Sequence, residues 1–298
     1  MPRPLTILPD PPPPPTAIGL IAGGGRLPII VAQGLRDAGH PVHALGLIKQ
    51  YDSELPALCT TFREVGLLKL GTWAKLLTRA GVRHAIMVGR VDKATILHDP
   101  LRLIRNLPDL KTLWAWYRHR RGAFAKDLRS HALLGAIADF LDRSGVQLLD
   151  STIPIPDQMA TPGQMTMRGP TAEQRADIEF AWPVLTELLR LDVGQAMAVR
   201  ERDVLAVEAI EGTDRMIGRV GETCRATGWT LLKGARSGHD RRSDVPTVGI
   251  QTVQNLYDHG GRCLALASGD VIMIDKPQML ALADRLGVAI VGVAPGQT

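Results

Sequence analysis

Two stretches in the second half of the chain carry the residue types that chemistry needs. Glu208-Ala-Ile-Glu-Gly-Thr-Asp214 sets Glu208, Glu211 and Asp214 along an expected strand-to-helix turn. Residues 233–249 read KGARSGHDRRSDVPTVG, an expected loop in which Asp240 and Asp244 are interleaved with Lys233, Arg236, Arg241 and Arg242. Two carboxylates on one loop, near a third on another, suit a hard divalent cation, and magnesium needs few because it keeps several waters. Arg takes phosphate oxygens as a fork, and Lys takes them as a point charge. A cation and basic groups on a diphosphate would stabilise water attack on phosphorus. The plain alternatives are a surface salt-bridge loop and, for Thr213 or Asp214, a helix cap. His239 and His131 have the titration range for proton transfer, but a solvated loop histidine and a helix-surface histidine fit them as well. No G-x-S-x-G or H-E-x-x-H motif is present.

A third stretch, IGLIAGGGRLP at residues 18–28, ends an apolar run on Gly23, Gly24 and Gly25. Glycines at the carboxyl end of a strand expose backbone N–H groups, and the following helix adds a dipole that favours an anion. A tight turn with nothing bound is the other reading. The full dinucleotide fingerprint is missing, and the next strand ends Leu45-Gly-Leu47 without the acidic residue a ribose needs. A nicotinamide dehydrogenase is therefore disfavoured, and the absence of Gly-Lys-Ser/Thr removes the P-loop.

The elements that must position these residues follow from periodicity. Ala17–Ala22, the helical Leu27–Ala38 and Val42–Leu47 form a βαβ unit. The alternation continues through Phe62–Val65, Leu67–Ala80, Ala85–Val88, two helical stretches at Leu101–His119 and Phe124–Ser144, and Gln147–Leu149. Residues 17–156 thus read as a Rossmann-like parallel-sheet domain for substrate binding. Proline and glycine punctuate a linker at 157–169. Residues 170–298 read as a mixed α/β catalytic domain with hairpins. It opens with a Thr171–Arg190 helix bearing a Thr171/Gln174 capping box. Hairpins are expected at Ala196–Arg200 with Val204–Ala209, and at Cys263–Ala267 with Val271–Ile274.

The chain has 298 residues, enough for about two domains, and a net charge of +5. Few aromatics and no nucleic-acid reader motif argue against nucleic acid as a partner; the mild basic excess suits an anionic substrate or membrane face. Three scattered cysteines imply a reducing compartment. No apolar run reaches membrane-spanning length, and the proline-rich residues 1–16 read as a flexible tail rather than a signal peptide. Trp114-Ala-Trp116 beside Arg118–Arg121 is a candidate membrane contact, with a buried helix face as the alternative.

Taken in order, IGLIAGGGRLP, VGRVDK at 88–93, RLDVGQAMAV at 190–199, LAVEAIEGTD at 205–214 and LLKGARSGHDRRSDVPTVGIQTV at 231–253 resemble the LpxI family. The resemblance runs from residue 17 to the end. It implies two domains joined by a linker with substrate between them. It also implies magnesium-dependent (Mg2+) hydrolysis of UDP-2,3-diacylglucosamine to 2,3-diacylglucosamine 1-phosphate and UMP in lipid A biosynthesis. By the same resemblance Asp244, Asp240 and Asp214 are the expected catalytic residues, with Asp244 and Asp240 also holding metal. Lys233, Arg242, Thr213, Gly23, Gly24 and Gly25 are the expected substrate contacts. The implied place is the cytoplasm, peripheral on the inner membrane, with a homodimer as the candidate assembly. Where the family carries an acidic pair early in the last helix of the first domain, this chain has Ser130-His131. A non-catalytic binder of nucleotide sugar or acyl lipid on the same scaffold is the rival reading; it predicts stabilisation by ligand without UMP.

Overall fold

A computed structural model describes residues 8–91, 109, 112, 130–242 and 245–294, the side chains of residues 130–133 excepted. Trp114 to Arg121, Asp244 and the expected Leu101–His119 helix lie outside the described residues. The chain divides into two compact units, one of residues 1–155 with 240–244, the other of residues 156–239 with 245–298.

The first unit is built on five parallel strands: β1 (Ile18–Ala22), β2 (Val42–Leu47), β3 (Thr61–Val65), β4 (His84–Val88) and β5 (Gln147–Leu148). Their order is β3-β2-β1-β4-β5. Every residue of β1 is buried, as a central strand covered on both faces requires. Helix α1 (Leu27–Asp37) carries Pro28, whose fixed φ suits a first turn, as its second residue, and stops before Gly39 at φ +84°. Helices α2 (Leu70–Arg79) and α3 (Ser130–Arg143) complete the unit. Trp73, Leu77 and Leu141 pack there against Ile21, Leu45 and Leu148.

The second unit has a six-stranded sheet of β6 (Gly163–Gln164), β7 (Ala196–Arg200), β8 (Asp203–Val207), β9 (Trp229–Lys233), β11 (Gly261–Ala267) and β13 (Ala289–Val293). A separate parallel pair joins β10 (Thr247–Val248) to β12 (Ile272–Met273). The large sheet runs β6-β13-β11-β9-β7-β8. Alternate strand residues serve opposite faces. Leu231, Leu264 and Ile290 meet helices α5 (Thr213–Thr223), α6 (Ile250–Asp258) and α7 (Lys276–Leu286). Leu232, Cys263 and Ala289 meet α4 (Ala172–Arg190). The Thr171/Gln174 capping box at the start of α4 is formed.

The hairpin of β7 and β8 is antiparallel, as its sequence implies. The second expected hairpin is not formed. Strand β11 pairs in parallel with both β9 and β13, and Ile272–Met273 leaves that sheet for β10. Cys263 to Leu266 are wholly buried, so this strand needs a neighbour on each side and helices on both faces. Ser268-Gly-Asp270 turns the chain away instead: the Ser268 amide bonds the Val293 carbonyl, and the Gly269 amide bonds the Ala160 carbonyl.

Candidate active site

Strand β9 ends on Lys233, which is 5% exposed although it carries an amine. Its Nζ donates to Thr213 Oγ1 at 2.6 Å. Thr213 Oγ1 in turn donates to Glu208 Oε1 at 3.0 Å. Glu208 is 8% exposed, and its other oxygen, Oε2, is buried with no hydrogen-bond partner among the described residues. Burial pushes the Lys233 ammonium below the ordinary lysine range, while the negative charges of Glu208 and then Asp214 pull it back up.

Each member is set by local structure. Glu208 follows β8, where its amide bonds the Ala196 carbonyl and its own carbonyl lies against Gly194. A Cβ on Gly194 would stand 1.9 Å from that carbonyl oxygen, so only glycine admits the approach. Gly212, at φ +83°, then turns the chain into α5, so Thr213 is the first helical residue. The capping role considered for Thr213 or Asp214 is overturned here: Gly212 is the cap, and no side chain bonds the helix end. Asp214 is exposed in the first turn. Glu211 points its chemistry elsewhere, binding Arg219 at 2.6 Å. The sequence thus offered three acids on this turn, and the structure brings Glu208 and Asp214 to the lysine.

The loop residues 240–242 count with the first unit. Arg241 Nε donates to Asp150 Oδ2 at 2.7 Å, and its Nη2 donates to Thr152 Oγ1 at 2.8 Å. The Ser151 amide and hydroxyl both donate to the Arg241 carbonyl at 2.9 Å. Arg242 forms a fork on Asp240, and those hydrogen bonds, together with the charges of Asp240, Asp139 and Asp142, hold its guanidinium more firmly protonated. Arg242, expected on a diphosphate, therefore faces carboxylates, and Asp240, expected on a metal, faces Arg242. Among the described residues no three His, Cys, Asp or Glu side chains converge as metal ligands would. His239 donates from Nδ1 to the Arg236 carbonyl, while its Nε2 is buried with no partner among the described residues. The Ser130-His131 pair begins α3.

The glycine turn lies between β1 and β4, where the strand order reverses and open sheets of this kind form crevices. Two of the N–H groups expected to face an anion, those of Gly23 and Gly24, bond backbone carbonyls. The Gly23 amide bonds the Val88 carbonyl at 2.9 Å, and Gly24 exchanges both backbone bonds with Arg90. A Cβ on Gly23 would stand 2.5 Å from the Arg90 carbonyl oxygen, and one on Gly24 would stand 2.7 Å from that of Gln50. Bare backbone at Gly23 and Gly24 is thus required by neighbouring backbone; Gly25, at φ +92°, makes the exit into α1. Sequence reasoning missed Gly89 and Arg90 as the other half of this turn, although VGRVDK was noticed. It also missed Asp150 as the partner of Arg241.

The fold and the site define a two-unit α/β protein whose second unit holds a buried lysine, at the carboxyl end of a central strand, against a threonine and a glutamate. The chain belongs to the LpxI family: the LpxI N-terminal domain matches residues 17–158 and the LpxI C-terminal domain matches residues 161–291. A relative from Caulobacter vibrioides, UDP-2,3-diacylglucosamine pyrophosphatase LpxI, is 31% identical over 290 residues, covering 93% of this chain and 98% of the relative. Among solved structures, the N5-carboxyaminoimidazole synthetase of Staphylococcus aureus aligns with 70% of this chain and 44% of its own. At 15% identity and a TM-score of 0.20, that likeness supports neither fold nor function.

Proposed function

We propose that this chain hydrolyses the pyrophosphate bond of UDP-2,3-diacylglucosamine, giving 2,3-diacylglucosamine 1-phosphate and UMP in lipid A biosynthesis. Full-length kinship to a relative named for that activity supports the reading. The structural observation that carries it is Lys233: a buried amine whose hydrogen-bond partner among the described residues is one neutral hydroxyl. A lysine ammonium has three N–H donors; Thr213 takes one, and a phosphoryl oxygen suits the others. In the reaction a water oxygen bonds to one phosphorus as the bridging P–O bond breaks. Lys233 steadies the negative charge that gathers on the phosphoryl oxygens, and Thr213 fixes the direction of the ammonium.

The described residues do not assemble a cation site, since Asp240 gives both oxygens to Arg242. Magnesium enters the proposal through the expected pair of Asp240 and Asp244, and when bound it would screen diphosphate charge. We infer peripheral contact with the cytoplasmic face of the inner membrane, because the proposed substrate carries two acyl chains. No helix among the described residues is long and apolar enough to cross a membrane.

The test is UMP release from the diacylated sugar nucleotide by the full chain, with magnesium and after chelation. Lys233→Met is expected to slow release by about 100- to 1000-fold, and Asp244→Ala to abolish it with the fold intact. Tight binding of the nucleotide without UMP would make the chain a non-catalytic binder and end the proposal.

A further inference from the structure

Glu208 has no role in the reaction as described so far, yet its placement is costly. Its carboxylate sits almost wholly inside the second unit, with one oxygen bonded to Thr213 and the other with no partner among the described residues. A buried, half-satisfied carboxylate is a loss the fold tolerates only where it serves something else. What it faces is Lys233, reached through a single hydroxyl: Nζ to Thr213 Oγ1 is 2.6 Å, and Oγ1 to Oε1 is 3.0 Å.

We propose that Glu208 is the positioning residue of this site: its carboxylate aligns the Thr213 hydroxyl and serves as the buried counter-charge that keeps Lys233 an ammonium ready for a phosphoryl oxygen. The naming of the phosphoryl group rests on the function proposed above; the coupling of Glu208 to Lys233 does not.

The geometry separates two duties. The Thr213 hydroxyl has one hydrogen. Because that hydrogen points at Glu208, the oxygen must accept from Lys233. The acceptor at Glu208 therefore fixes the sense of the whole chain of bonds. The second duty is charge. Among the described residues two acids act on Lys233, Glu208 and Asp214. Asp214 is exposed, and water screens it. Glu208 is buried and not screened, so it supplies the larger share. Glutamine at this position would keep the shape and the acceptor while removing the charge, which isolates the second duty from the first.

The experiment follows the Lys233 side chain by NMR in the full chain with 13Cε-labelled lysine. Its resonance is the one that Lys233→Met removes. In Glu208→Gln the Lys233 titration midpoint is expected to fall by roughly one to two pH units, as for loss of an opposite charge at this range. The alkaline limb of the kcat/KM profile for UMP release should move down by the same amount, with a melting temperature close to that of the parent. Glu208→Asp keeps the charge and is expected to hold the midpoint near that of the parent. An unmoved midpoint in Glu208→Gln overturns the proposal, even if activity falls. So does a Glu208→Asp midpoint as low as that expected for Gln, which also serves if the Gln variant does not fold. Because the titration needs no substrate, a parent chain that releases no UMP removes the hydrolase reading and leaves this coupling to be judged on its own.

Discussion

Arg242 and Asp240 grip each other at two points, Nε to Oδ1 at 2.8 Å and Nη2 to Oδ2 at 2.6 Å, and the Arg242 amide adds a third bond to Oδ1 at 3.1 Å. The Arg242 side chain is 14% exposed and that of Asp240 is 32% exposed, so the pair is partly shielded from water. A lysine offers a point charge where arginine offers a planar fork. Arg242→Lys is expected to lower stability by about 1–2 kcal/mol. It should also speed protease cleavage within residues 234–246. Unchanged melting and cleavage would show that the loop holds its shape through Arg241 and Asp150 alone.

Gly23→Ala tests what the glycine turn is for. The new Cβ would stand 2.5 Å from the Arg90 carbonyl oxygen, and backbone cannot swing away as a side-chain end can. Overpacking of this kind costs about 1–3 kcal/mol. A fall in melting temperature is expected without any ligand present. If melting is unchanged and only nucleotide binding is lost, then the bare backbone at Gly23 serves the ligand after all.

Burial penalises a thiolate, so it pushes the Cys263 thiol up to about 12 and the Cys59 thiol up to about 11. Both stay neutral near neutral pH and are poor nucleophiles there. A brief pulse of iodoacetamide on the folded chain, read by mass spectrometry, is expected to modify Cys224 before either. Early labelling of Cys263 would mean that the packing of β11 against α4 opens readily.

The architecture was legible wherever local pattern and tertiary need agree. Ile18–Ala22 is short, aliphatic and followed by glycines, and it can only be a buried strand leading into a helix. Thr171 and Gln174 announce a helix start because their bonds are made within one turn. Ser268-Gly-Asp270 misled because a turn signal states that the chain bends without stating which strand it meets next; the pairing of β11 is settled by Trp229–Lys233 and Ala289–Val293, distant in sequence. At the site, residue type pointed to Lys233 and the family resemblance to Thr213, and the fold does bring the two together. Glu208 was visible only as one acid of three, because nothing in EAIEGTD shows which carboxylate turns inward. Asp150 was invisible, since its partner Arg241 lies 91 residues away.

That long-range clasp has a consequence for how the protein is made. Asp150, Ser151 and Thr152 close the first unit by holding Arg241, a residue translated only after most of the second unit. Asp150 therefore emerges without this partner, which is synthesised 91 residues later. Closing so long a loop costs entropy that grows only slowly with its length, and the clasp cannot form before Arg241 has been made.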